Sequence, residues 1–115
     1  MQIKSISFSQ EGRNLVFNEA KDRDWHVVYL INNKNYLYIG ETSNLFNRFG
    51  QNLDNKQKHG LKEIHVIFDG GFNKFAVLDI EQSLIRMCNA DQKFTLLNGN
   101  SGQSSKRNYS QKEIY

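Results

Sequence analysis

A single cysteine, Cys88, stands in 115 residues, so the chain can form no internal disulfide and no cysteine-based zinc site. Proline is absent altogether, and that absence has no functional reading of its own. No long apolar run and no cleavable leader pattern occurs, so neither a membrane span nor secretion has support. A reducing cytoplasm is therefore the expected compartment. Strong charge is missing too. Fifteen Lys and Arg against twelve Asp and Glu leave +3, a slight lean toward polyanions that selects no partner by itself.

What is present suits one soluble domain spanning 1–115, with 38% hydrophobic and 23% charged residues. "IKSISFS" reads as a short edge strand and "QEGRNL" as a turn. "WHVVYLI" (25–31) is β-branched and aromatic, which predicts a strand. "NNKN" is turn chemistry and "YLYIG" (36–40) a second strand, together a hairpin. Thr42 or Ser43 can cap a helix over 44–53, with Leu45, Phe49 and Leu53 as its core face. "DNKQKHG" is a charged loop and "EIHVIF" a third strand. Asn73 caps the longest helix, 74–89. "FTLLN" is a short last strand, and 103–115 form a polar, basic tail. The order predicts an α/β (α+β) fold: a small antiparallel or mixed three-stranded sheet flanked by helices.

Three local features break the usual rules. On a wheel with Val77 at zero, Leu84, Val77, Cys88, Ile85 and Leu78 fill one apolar arc, and Glu81 falls inside it at about 40°. A carboxylate there is desolvated, which is costly unless a basic partner, water at the core edge or a metal ion compensates it. With the hairpin turn centred between Asn33 and Lys34, Tyr29 lies opposite Tyr38, and the two phenols share a face. Arg48 flanks the apolar arc of its helix, where it can snorkel or hold a phosphate in bidentate fashion.

Taken in order, these residues resemble the GIY-YIG nuclease family. "VVY" (27–29) and "YIG" (38–40) are similar to its two naming motifs. "YIGETSNLFNR", the lone glutamate of "LDIEQSLI" and an asparagine in "LLNGN" continue the likeness across 25–102. The resemblance implies a metal-dependent phosphodiesterase site. Glu81 would hold Mg2+ (or Mn2+), Arg48 would neutralise the scissile phosphate, and Tyr29 and Tyr38 would orient or deprotonate the attacking water. Asn98 matches the family asparagine, with Asn100 as its rival. DNA contacts are expected from Lys34, Asn52, Asn100, Lys106 and Arg107.

Two features depart from the family. Asn52 stands where histidine or tyrosine is frequent, and it cannot accept a proton at neutral pH. "VVY" replaces "GIY" but keeps the phenol. His59 could substitute for the missing histidine. An endonuclease acting on DNA is thus expected, with a catalytically weakened nucleic-acid-binding or interaction module as the alternative. "FNKFAVLDIEQSLI" and the tail resemble a bacterial subgroup in which this domain precedes a P-loop nucleotide-hydrolase (ATPase) domain. No "GxxxxGK[ST]" occurs here, so such a domain would lie beyond Tyr115.

Overall fold

A computed structural model describes residues 1–20 and 26–100. Strand β1 (Gln2–Ser7) leads into helix α1 (Gln10–Ala20). The hairpin follows as β2 (Val27–Asn32) and β3 (Tyr36–Thr42), then helix α2 (Leu45–Leu53) and a 3-10 turn (Lys56–Lys58). Strand β4 (Glu63–Phe68), helix α3 (Lys74–Asp91), strand β5 (Thr95–Leu96) and a second 3-10 turn (Leu97–Asn100) complete the order.

The sheet runs β1-β4-β2-β3-β5, antiparallel except for the β3–β5 pair. Its centre is the expected three-stranded unit β4-β2-β3, widened at both edges. β2 is central and covered on both faces, so its residues are apolar nearly without interruption. Val27, Tyr29, Ile31, Ile64 and Val66 face Val16 of α1 and Phe49 of α2. Val28, Leu37 and Ile39 face Val77 of α3. Helices therefore cover both sides of one sheet. No helix among the described residues is long and apolar enough to cross a membrane.

Several local expectations need correction. "QEGRNL" is not a turn but the start of α1. The Ser9 hydroxyl accepts from Gly12 N at 3.1 Å, and the Ser9 carbonyl accepts from Arg13 N at 3.0 Å. Glycine at position 12 is a poor helix former. In the fold its bare Cα lets the helix lie against Ser7, whose carbonyl oxygen a Cβ would overlap. Asn44, not Thr42 or Ser43, caps α2 by accepting from Asn47 N at 3.2 Å, while Thr42 Oγ1 accepts from Asn44 N. Asn73 caps α3 as expected, through Ala76 N at 2.8 Å, and the helix runs two residues further, to a left-handed Gln92. Trp25 and the tail lie outside the described residues.

The hairpin turn is also displaced. Asn33 Oδ1 accepts from Asn35 N and Tyr36 N at 2.8 and 2.7 Å, which centres the turn between Lys34 and Asn35. Tyr29 therefore faces Gly40 across the pair, and Tyr38 faces Ile31. Moving the centre by one residue shifts the register by two. The sheet period is two, so both phenols stay on one face.

Candidate active site

The hairpin brings the two tyrosines together diagonally, with ring centroids 6.1 Å apart and their planes at 37°. Tyr29 is fully buried and Tyr38 partly so. Gly40 makes this possible. The Tyr29 ring lies over it, and a Cβ there would overlap Cζ and Oη of the phenol. Burial is the main cause that pushes the Tyr38 hydroxyl up to about 12. The neighbouring Tyr29, the charge of Glu81 and a hydrogen bond with Tyr29 act the same way, and Arg48 opposes them. Tyr38 thus holds its proton at neutral pH in the free protein.

Helix α2 supplies the next residues. Arg48 projects from its exposed side, while Asn52, one turn on, is buried at 4% exposure. The Asn52 amide donates through Nδ2 to Tyr29 Oη at 3.2 Å and to the Arg48 carbonyl at 3.0 Å, and Oδ1 accepts from Lys58 Nζ at 2.5 Å. Asn52 therefore serves the interior, not a solvent-facing contact. Lys58 itself was hidden in the sequence. "DNKQKHG" reads as a solvated loop, yet Asn55 caps a 3-10 turn there by accepting from Gln57 N, and Lys58 swings inward to 6% exposure. His59 remains outside.

Glu81 comes from α3, in the other helical layer. It is partly buried, and burial is the main cause that raises its carboxyl to about 7. Repulsion from Glu41 adds to this. Lys74, a hydrogen bond with Gln82, and Arg48 pull the other way. Among the described residues Glu81 makes no ion pair, whereas Glu41 is held by Lys74 Nζ through both oxygens at 2.9 Å. Glu41 and Lys74 had no sequence signal; only the folded α3–β3 contact joins them. The outer edge of β3 pairs with β5 only at Tyr36 and Leu37, so beyond Ile39 it has no strand partner among the described residues. Across that edge the field of Glu81 reaches Tyr38, and that of Arg48 reaches Glu81, Tyr38 and Lys58.

The raised Glu81 carboxyl has a checkable consequence. Between about pH 4.5 and 7 the folded state keeps a proton that the unfolded chain releases, so metal-free stability falls as pH rises through that window. Urea unfolding at pH 5 and pH 8 should show the decline in the native chain and a weaker one in Glu81→Gln.

Asn98 sits differently from the rest. Its Oδ1 accepts from Ile39 N at 2.8 Å and its Nδ2 donates to Ile39 O at 2.6 Å, so the amide closes the β3 edge where β5 stops. Asn98→Ala should destabilise the fold by about 2 to 3 kcal/mol in chemical denaturation, because two backbone groups lose their partners. Asn100 belongs to the same 3-10 turn. Lys34 is exposed at the hairpin tip and is not among the charges acting on Tyr38, Lys58 or Glu81. Lys106 and Arg107 lie outside the described residues.

Among the described residues no three His, Cys, Asp or Glu side chains gather as a metal cage. The donors that are present fit a hard divalent ion held by one carboxylate and keeping most of its water. Glu81 is the fitting ligand, since its charge is desolvated and, among the described residues, is not in an ion pair.

Residues 25–94 match the GIY-YIG catalytic domain family. The match covers more than half of the chain, which belongs to this family of nucleases, generally dependent on a divalent metal. No curated protein and no solved structure matches it.

Proposed function

We propose that this domain is a divalent-metal-dependent endonuclease that hydrolyses DNA phosphodiester bonds. The observation that carries the proposal is Glu81, a carboxylate set in an apolar arc with no ion pair among the described residues, within electrostatic reach of Arg48 and Tyr38. Hydrolysis adds water to phosphorus and breaks the bond to the leaving oxygen, so negative charge on the phosphate must be balanced. Arg48 is exposed and mounted on a capped helix, suited to grip two non-bridging oxygens. Tyr38, still protonated, orients the attacking water, with the Tyr29 ring packed beside it. When bound at Glu81, a divalent ion such as Mg2+ or Mn2+ supplies Lewis-acid stabilisation of the leaving oxygen. Asn98 acts at one remove by fixing the strand that carries Tyr38. The likeness to the bacterial subgroup extends the proposal to a single domain over 1–115, followed by a P-loop ATPase domain.

Plasmid nicking with and without Mg2+ tests this, with Glu81→Ala and Arg48→Ala alongside. Metal-dependent nicking by the native chain alone is expected. Equal nicking by all three proteins overturns the assignment. Salt-sensitive DNA binding without any cleavage moves it to a binding module.

A further inference from the structure

Among the described residues Lys58 is the one buried cation, and the proposed chemistry gives it no task. It belongs to the turn after α2, not to the hairpin or helices that carry the family motifs. The residue is 6% exposed and, among the described residues, its ammonium has no carboxylate partner. It has two contacts instead, both into the candidate site. Nζ lies 3.6 Å from the centroid of the Tyr38 ring, and it donates to Asn52 Oδ1 at 2.5 Å.

An unpaired buried cation lowers stability. A turn whose only task was to close the chain would be served better by an apolar residue. The hydrogen-bond directions show what the ammonium does. It can only donate, so it fixes Oδ1 of Asn52 toward itself. The opposite end, Nδ2, must then donate, and it meets the Arg48 carbonyl and Tyr29 Oη. Without Lys58 the amide would lose the partner that holds its acceptor end inward. Tyr29 Oη would lose a firmly oriented donor, and Tyr38 would lose the cation beneath its ring.

We propose that Lys58 is a positioning residue of the catalytic site: it locks the Asn52 amide so that Asn52 donates to Tyr29, and thereby holds the paired phenols in register beside the scissile phosphate. The proposal rests on the endonuclease reading above. It also explains how the site works with asparagine at position 52. Lys58 and Asn52 together supply the orienting hydrogen bond, with no histidine needed.

The groups facing Lys58 are Tyr38 and, through Asn52, Tyr29 from the hairpin, and Arg48 from α2. Burial first and Arg48 second bring the ammonium down to about 8. Its charge is present below that pH and lost above it.

The test compares native chain, Lys58→Met and Lys58→Arg by single-turnover cleavage of a DNA duplex with Mg2+, across pH and well below each melting temperature. Lys58→Met should lower the cleavage rate constant by roughly 10- to 100-fold, the usual range for an outer partner of a catalytic group, with duplex affinity little changed. Lys58→Arg should retain most activity. It should also lose the decline that the native enzyme shows above about pH 8, because a guanidinium stays charged there. Native-like rates and pH profile in Lys58→Met overturn the proposal and leave the endonuclease reading intact.

If the native chain does not cleave, that reading fails and the Asn52 side-chain amide protons, followed by NMR without metal, decide the lock. Slow exchange in the native chain and Lys58→Arg, lost in Lys58→Met, supports it. Equal exchange in all three overturns it.

Discussion

Gly40→Ala is expected to lower stability by about 3 kcal/mol and to abolish DNA cleavage. The added Cβ would overlap Cζ and Oη of Tyr29, a fully buried ring. Rings in such positions are held by close packing, so the clash must move β3, Tyr29 or both. Either movement separates Tyr29 from Asn52 Nδ2 and from Tyr38. A double-mutant cycle checks the cause. In a Tyr29→Val background the ring is gone, and Gly40→Ala should then be nearly neutral toward unfolding in urea. A full penalty in that background would place the problem in the backbone of β3 and not in the phenol.

The second large effect concerns charge at the site. Arg48→Ala and Glu81→Gln are each expected to slow cleavage by roughly 10³-fold, the size found when one group that stabilises transition-state charge is removed. Neither should harm the fold. Arg48 is exposed, and surface substitutions of this kind stay within about ±0.5 kcal/mol. Glu81→Gln removes a desolvated carboxylate without an ion pair, so thermal stability at pH 8 should hold or rise. The double variant should be scarcely slower than either single one, because both groups serve one transition state. Melting curves beside the cleavage rates separate loss of chemistry from loss of structure. Isothermal titration with Mn2+ should show metal binding in the native chain and in Arg48→Ala but not in Glu81→Gln.

Where sequence and structure agree, the signal was local and periodic. The β-branched and aromatic composition of "VVYLI" and "YLYIG", the apolar spacing in α2 and α3, and the Asn73 cap each depend on near neighbours in the chain. Glu81 stood out for the same reason, as one charge on a regular helical arc. α1 was missed because Gly12 and Asn14 carry turn propensity. The contact that favours glycine there, with Ser7, is visible only once the helix has folded back on β1. The hairpin register was misplaced by two residues because Asn33, Lys34 and Asn35 all suit a turn. The choice among them is made by the hydrogen bonds of the Asn33 side chain.

By itself the sequence determined the central strands, the two helices that carry Arg48 and Glu81, and the family to which their order belongs. Those features follow from periodicity and short-range chemistry, which a linear chain displays in full. Only the tertiary structure decided that Lys58 turns inward, that Asn52 and Asn98 use their amides inside the protein, and that Glu41 pairs with Lys74. Each of these depends on partners six to fifty-nine residues apart in the chain. Burial and long-range hydrogen bonding are set by packing, and no local pattern encodes them.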